Sequence, residues 1–166
     1  MLSRIITLAL GIAFLCLAGC GSSAPVDNPD ITADGSGGAI VVYQVAKGHA
    51  KREIYAQRIA PNGDALWGDT GVLIGTGYEE GAGRLQVVGD ASGGAIIVWR
   101  AYPSEPNWEL PVGKGKVSLI SHVTKVDSKG SILWQKELSR VERLVSDGSG
   151  GIILASCTYS EEEKAY

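Results

Sequence analysis

Apolar and polar positions follow the same pattern three times along this chain. A polar turn of the form Asp-x-Ser-Gly-Gly starts at Asp34, Asp90 and Asp147, at intervals of 56 and 57 residues. A mostly apolar run follows each turn, at Ala39–Tyr43, Ala95–Arg100 and Ile152–Cys157. Apolar runs of this length predict strands that are covered on both faces. We therefore expect a repeat whose second strand is buried between neighbouring repeats.

Each repeat is predicted to be a four-stranded antiparallel meander, with strands a to d in chain order. The glycines at 37/38, 93/94 and 150/151 allow the positive φ that a tight turn between strands a and b requires. The apolar runs given above are the predicted b strands. The predicted a strands are Asp30–Ala33, Leu85–Gly89 and Glu142–Ser146, and the predicted c strands are Ile54–Ala60 and Val117–Val126. The predicted d strands pass through Leu66-Trp67 and Leu133-Trp134.

Aromatic residues recur at matching positions of the repeats. Alignment on the turn glycines places Trp67 on Trp134, Tyr43 on Trp99 and Tyr55 on His122. Aromatic residues at fixed repeat positions are typical of packing between repeats. We therefore interpret the three tryptophans as core residues and His122 as a strand residue in a sheet face.

Self-similarity at a period near 50 residues, built from short strands and glycine turns, predicts a β-propeller, whose blades cannot bury their faces alone. The predicted fold is all-β, a partial propeller of about two and a half blades in residues 29–166, divided as 29–76, 84–139 and an incomplete 140–166. Because closed propellers have about four to eight blades, we expect a fragment of a longer propeller or a chain that combines with others.

The N-terminal segment differs from the repeats. Arg4 precedes a largely apolar run of thirteen residues, Ile5–Leu17, which is shorter than the roughly 20 residues that span a bilayer. This pattern predicts an export signal. An uncleaved anchor, or an ordinary signal followed by a chance cysteine, is the alternative.

The sequence Leu17-Ala18-Gly19-Cys20 resembles the end of a bacterial lipoprotein signal. The resemblance implies removal of residues 1–19, lipidation of Cys20 with diacylglycerol and usually an amide-linked acyl chain such as palmitate, and a tether over residues 20–28. It also implies attachment to a membrane on the extracytoplasmic side of the cell envelope, at the outer membrane if the host is Gram-negative, because Gly21 stands where an Asp is associated with inner-membrane retention.

Composition narrows the chemistry. The formal net charge is -3 and no predicted strand face carries a cluster of Lys or Arg, so nucleic acid is not an expected partner. After processing only Cys20 and Cys157 remain, which excludes an internal disulfide, and Cys157 is expected to be a buried thiol. His49 and His122 are the only histidines, and no ligand spacing for a metal, cofactor fingerprint or nucleophile motif is present. We expect no metal, no cofactor and no enzymatic activity.

Two further features bear on binding. Each Asp-x-Ser-Gly-Gly turn offers one Asp and one Ser, too few oxygens for a calcium loop, so we predict that the Asp accepts backbone N–H groups of its own turn. Trp108 and Tyr102 lie in a Pro-rich insertion without a counterpart in the other repeats. They are candidate contacts for a protein or carbohydrate ligand; the alternative is that Trp108 folds back onto its repeat.

Residues 30–159 resemble the repeats of bacterial secreted and surface β-propeller proteins, through Asp-Gly-x-Gly-Gly, Ile54-Tyr-Ala-Gln-Arg-Ile and Leu-Trp. The segment Val126–Trp134 is also similar to pyrroloquinoline-quinone-type blades, without their Thr before the Gly. The resemblance implies a lipid-anchored binding or scaffold module with further blades as partners. The alternatives are a factor like the propeller lipoprotein of outer-membrane β-barrel assembly, a carbohydrate-binding surface module, and a fragment of a propeller enzyme.

Overall fold

The computed structural model describes residues 26–48, 50–78, 85–102 and 119–156. These residues form ten strands and no helix, arranged in antiparallel sheets of four, four and two strands, each in chain order. Sheet one contains β1 (Val26–Ala33), β2 (Ala39–Ala46), β3 (Lys51–Ile59) and β4 (Val72–Tyr78); sheet two contains β5 (Gln86–Gly89), β6 (Ala95–Ala101), β7 (Ile120–Val126) and β8 (Ile132–Leu138); sheet three contains β9 (Val141–Ser146) and β10 (Ile152–Ser156). The prediction of an all-β chain of antiparallel meanders is confirmed.

Several strand bounds differ from the prediction, most of all those of β1 and β4. β1 begins at Val26, four residues before the predicted start. The fourth strand of sheet one is Val72–Tyr78, so its placement through Leu66-Trp67 is wrong. In sheet two, by contrast, Leu133-Trp134 lie within β8 as expected.

The physical reason for the displaced β4 is an excursion of the chain after Trp67. The side chain of Gln57 accepts a hydrogen bond from the Trp67 amide at 2.9 Å and donates one to the carbonyl of Gly68. The chain therefore leaves the ladder at Gly68 and rejoins it at Val72, which pairs with Ala56. In sheet two, β7 and β8 pair from Ser121 with Leu138 to Val126 with Ile132, and the one irregularity is a single unpaired residue at Leu133.

The sheets pack face to face in chain order. The core between sheets one and two contains Ile40, Val42, Ile54, Ala56, Trp67 and Ile74 from the first, with Val87, Ala95, Ile97, Trp99, Ala101 and Val126 from the second. The core between sheets two and three contains Ile96, Val98, Val123, Val141 and Leu144. Because β2 and β6 contribute to clusters on both of their faces, their prediction as doubly covered strands is confirmed.

The innermost strands of adjacent sheets are joined at the spacing of the repeat. Asp30 of β1 accepts a hydrogen bond from the Val87 amide at 2.9 Å, and Thr32 accepts one from the Gly89 amide at 3.1 Å. Gln86 repeats the first contact by accepting from the Leu144 amide at 3.1 Å. A Cβ at Gly89 would lie 2.3 Å from the carbonyl oxygen of Ala33 in the neighbouring sheet. The inner strands therefore approach one another backbone to backbone.

Equivalent positions differ in exposure according to their place in the stack. Ile40 and Ile96 are 0% and 3% exposed because a following sheet covers them, whereas the equivalent Ile153 of sheet three is 60% exposed. At the other end, Ile31 of sheet one is 56% exposed and its equivalent Val87 only 7%. The stack thus has two partly exposed faces: a first end face, exposed at Ile31 and Leu73 on its edge strands β1 and β4 but buried at Val41 and Tyr43 between them, and a third end face exposed at Val145 and Ile153.

Candidate functional site

The three repeated aspartate turns share one hydrogen-bond geometry. Oδ1 of Asp34 accepts from the amides of Ser36 and Gly38 at 2.8 Å each, and Asp90 and Asp147 accept from their own turns in the same way at 2.8 to 2.9 Å. Asp127 forms a fourth turn of this kind, accepting from Lys129 and Ser131 at 2.8 Å. The prediction that these aspartates hold their own turns is confirmed. In the residues that the structure describes, no group of three His, Cys, Asp or Glu side chains is placed to hold a metal ion.

A cation from strand c lies beside the aspartate in two of the sheets. Arg58 of β3 contacts Asp34 through Nη2 and Nε, at 2.8 and 2.9 Å. Lys125 of β7 occupies the equivalent place, 4.0 Å from Asp90, and donates to the carbonyl of Gly150 in sheet three at 3.3 Å. This pairing was not predicted from the sequence. The feature of the sequence that could have indicated it is a basic residue immediately before the last residue of β3 and of β7.

The turns and cations together lower the pKa of both aspartates. Burial alone would raise the pKa of Asp34, but hydrogen bonds from Ser36, Arg58 and Gly38 outweigh it and hold the pKa far below its usual range. The pKa of Asp90 is lowered in the same way, with Lys125 adding a favourable charge. Both groups are therefore carboxylates at neutral pH and serve the sheet structure.

Aromatic pairs link strands b and c in the two larger sheets. Tyr43 stacks on Tyr55 with ring centroids 5.9 Å apart, and Trp99 stacks on His122 with centroids 4.1 Å apart. Each pair lies directly opposite in the ladder between the second and third strands. The predicted equivalence of Tyr55 and His122, and the placement of His122 in a sheet face, are confirmed.

The three tryptophans differ in burial. Trp67 and Trp99 are 6% and 3% exposed, as expected for core residues, but Trp134 is 36% exposed and its assignment to the core is wrong. The reason is the neighbouring sheet. Trp67 donates from Nε1 to the carbonyl of Ser128, in the turn between β7 and β8, whereas the described part of sheet three has two strands and brings no such turn over Trp134.

An open cleft of about 490 Å³ lies between the outer strands of sheets one and two. It is lined by Ile74, Gly75, Thr76, Trp99, His122, Gln135, Lys136 and Glu137. In this part of the described chain the buried indole nitrogen of Trp99 has no hydrogen-bond partner. His122 Nδ1 lies 3.8 Å from a carboxylate oxygen of Glu137.

The chemistry of this cleft suits hydrogen bonding to a polar ligand. Burial lowers the pKa of His122, and the nearby carboxylate of Glu137 offsets only part of that effect, so the imidazole is neutral at pH 7. Gln135 is already engaged, because its Nε2 donates to the carbonyl of Ile74 at 2.8 Å and to Oγ1 of Thr124 at 3.2 Å. The cleft therefore presents a neutral imidazole, a carboxylate, an ammonium group and the Thr76 hydroxyl.

Of the site residues predicted from sequence, Tyr102 lies among the described residues and does not line this cleft. Tyr102 follows β6 and exchanges two backbone hydrogen bonds with Tyr78, at 2.8 and 3.2 Å, which join the ends of β6 and β4. Its predicted ligand contact stays a prediction. Trp108, Cys20, Cys157 and His49 lie outside the described residues.

In the described part of the chain, no helical segment has the length and apolar character that crossing a bilayer requires. Comparison with models of protein families, with curated proteins and with solved structures gives no match for this chain.

Proposed function

We propose that this chain is a lipid-anchored β-propeller repeat protein on the extracytoplasmic side of the cell envelope, where it acts as a binding or scaffold module. The observation that supports the propeller is the recurrence of contacts between sheets at the spacing of the repeat: Asp30 with the Val87 amide, then Gln86 with the Leu144 amide. A fold in which each sheet contacts the next through equivalent positions supports growth by addition of sheets.

The two end faces support the proposal of further blades. Large apolar side chains at Ile31, Leu73, Val145 and Ile153 are between 44% and 60% exposed. Large apolar side chains that are this exposed on a sheet face are candidates for an interface. Further sheets, from a longer polypeptide or from another chain, would cover these faces as sheet two covers sheet one.

We place ligand recognition in the cleft beside Trp99. It lies at the outer side of the contact between two sheets, where polar side chains converge over a packed aromatic pair. The indole of Trp99 is 3% exposed, so it offers no open ring face of the kind on which a sugar stacks. A polar peptide segment of a protein partner fits the hydrogen-bonding groups of this cleft better.

The lipid anchor is tested by metabolic labelling with an alkyne-bearing palmitate analogue in a bacterial host. We expect label on the wild-type chain and on Cys16→Ala, and none on Cys20→Ala. Cys16 is the matched control because it lies in the same N-terminal segment. Equal labelling of Cys20→Ala and wild type would remove the lipoprotein proposal.

The binding cleft is tested by placing a photo-crosslinking amino acid at Thr76, which is exposed and lines the cleft, and at Lys129, an exposed turn residue outside it. We expect a discrete crosslinked partner from the cell envelope at Thr76 only, and its loss when Glu137→Lys is added. Equal crosslinking at both positions, or no effect of Glu137→Lys, would contradict recognition in this cleft.

A further inference from the structure

We propose that the first end face of one copy of this chain packs on the third end face of a second copy, head to tail. This inference rests on the proposed propeller and names the partner that covers its ends. The described residues of two copies contain six sheets, a number within the range of about four to eight blades in closed propellers.

An apolar contact between adjacent sheets occurs twice inside the chain, at equivalent repeat positions. Ile40 of sheet one shares a cluster with Val87 of sheet two, and Ile96 of sheet two shares a cluster with Leu144 of sheet three. In sheet three, the residue at the same repeat position as Ile40 and Ile96 is Ile153.

Sheet one carries the residue that corresponds to the partner of Ile40 and Ile96. The position that precedes Val87 by one repeat is Ile31. Ile153 and Ile31 are 60% and 56% exposed. Packing Ile153 of one copy on Ile31 of another would form the internal contact a third time, and it would bury the two most exposed isoleucines among the described residues.

Opposite charges at the two ends of the stack also favour this packing. Asp30, Gln86 and Arg143 occupy one repeat position on the three innermost strands and line a single cleft of about 320 Å³. A second copy stacked in the same way brings its Asp30 next to Arg143 of the first. A guanidinium group and a carboxylate then face each other across the contact, which favours this orientation over one that joins two identical faces.

The head-to-tail orientation follows from these equivalences. Each end face lacks the partner that the other end face supplies, and neither is complementary to itself. Contacts of this heterologous kind produce closed rings where the rotation permits it. We therefore expect a dimer held by two copies of the same contact, one at each end of the stack.

The experiment uses the full chain in mild detergent and measures its mass by analytical ultracentrifugation and native mass spectrometry. We expect a concentration-dependent dimer. Ile31→Glu and Ile153→Glu each place a carboxylate in both contacts and should raise the dimer dissociation constant at least about 100-fold. Leu133→Glu is the matched control, because Leu133 is 56% exposed on β8 but belongs to neither end face; it should leave the dimer unchanged.

Mixing the two variants distinguishes head-to-tail packing from other dimers. The Ile31→Glu copy keeps an intact third end face and the Ile153→Glu copy keeps an intact first end face, so one contact can form between them. An isotope-labelled mixture should therefore contain more heterodimer than either variant alone contains homodimer. Arg143→Glu, which leaves the apolar pairing intact and places a carboxylate opposite Asp30, should dimerise more weakly than the wild type, and added salt should weaken the wild-type dimer more than it weakens the variant dimer.

A chain that stays monomeric to high concentration, or a mixture with no excess of heterodimer, would overturn this inference. Circular dichroism identifies variants that fail to fold, and Arg143→Glu then decides the outcome because it changes an exposed side chain only. None of these results depends on palmitate labelling or on crosslinking at Thr76, so failure of the dimer is separable from failure of the proposed function.

Discussion

Trp67 and Trp134 occupy the same repeat position, and their replacement by alanine tests how far stability depends on the neighbouring sheet. Trp67 is 6% exposed, and its Nε1 donates to the Ser128 carbonyl at 3.1 Å. Trp134 is 36% exposed, with the Lys136 ammonium 5.6 Å from its ring centroid. We expect Trp67→Ala to lower the free energy of unfolding much more than Trp134→Ala.

The expected difference is estimated from burial. A tryptophan buries on the order of 200 Å², so the 6% and 36% exposures correspond to about 60 Å² more buried surface at Trp67, or about 1.5 kcal/mol. The lost hydrogen bond adds about 1 kcal/mol. Trp67→Ala should cost about 4 kcal/mol, as large-to-small changes in a core do, and Trp134→Ala about 1 to 2 kcal/mol.

The measurement is urea unfolding followed by far-ultraviolet circular dichroism, because removal of a tryptophan changes the fluorescence signal itself. Phenylalanine at each position is the control, since it keeps an aromatic ring and removes the indole N–H. The two alanine variants would then be compared by their losses of unfolding free energy. Losses that agree within about 0.5 kcal/mol, the margin within which effects at independent sites add, would refute the reasoning. They would mean that the exposure of Trp134 does not result from the two-stranded described part of sheet three.

Three further predictions concern single side chains. Because the pKa of Asp34 is lowered in the folded chain, its stabilisation is fully present above the unfolded pKa of about 4 and is lost progressively as the pH falls from there towards the lowered pKa of the folded chain; Asp34→Asn should therefore destabilise the chain most at pH 7 and less at pH 3 in urea titrations. The pKa of His122 is lowered as well, so the stability of the chain should fall as the pH drops below about 6.5. His122→Tyr should make stability depend less on pH, measured by thermal unfolding between pH 5 and 8, about the range in which an unperturbed histidine titrates. Gly75→Ala should cost about 2 kcal/mol in urea unfolding, because a Cβ there would lie 2.3 Å from the Trp99 ring.

Each of these predictions has a control. Asp147→Asn removes an equivalent carboxylate at an exposed turn, and an effect equal to that of Asp34→Asn would contradict the role of burial and Arg58. For His122, an NMR titration with a pKa above 6.5, the usual histidine value, would reverse the expected slope. Gly48→Ala meets nothing within 4 Å, and its φ of 93° brings a backbone strain that Gly75 lacks, so a loss at Gly75 smaller than the loss at Gly48 would contradict the clash with Trp99.

Local sequence patterns predicted the elements that depend on nearest neighbours. The mostly apolar runs of β2 and β6, the aspartate turns and the match of Tyr55 with His122 all follow from the repeat itself. The position of β4 did not, because the alignment of Trp67 with Trp134 holds up to the tryptophan and fails at the excursion that Gln57 stabilises.

Tertiary surroundings decided the rest. Trp134 has the sequence context of a core residue, and its exposure depends on which strands of sheet three lie beside it. The Trp99 cleft combines residues from β4, β6, β7 and β8, of which only Trp99 and His122 were singled out from the sequence, both as structural residues. Ala91 has a φ of 61° where the equivalent Gly35 and Gly148 also have positive φ, so the turn geometry is retained even where the sequence signal for it is lost.

The unequal spacing of the sheets has a geometrical consequence. At the inner strands, Gly89 brings one backbone against the carbonyl of Ala33, while at the outer strands the same pair of sheets is separated by the bulk of Trp99 and an open cleft. A layer that is thin on one side and thick on the other is a wedge. Successive wedges follow an arc about their thin edge, and the angle between sheets one and two is set by Gly89 on the inside and, on the outside, by Trp99 together with the backbone pairing of Tyr78 and Tyr102. A change at any of these contacts would alter the curvature of a larger assembly.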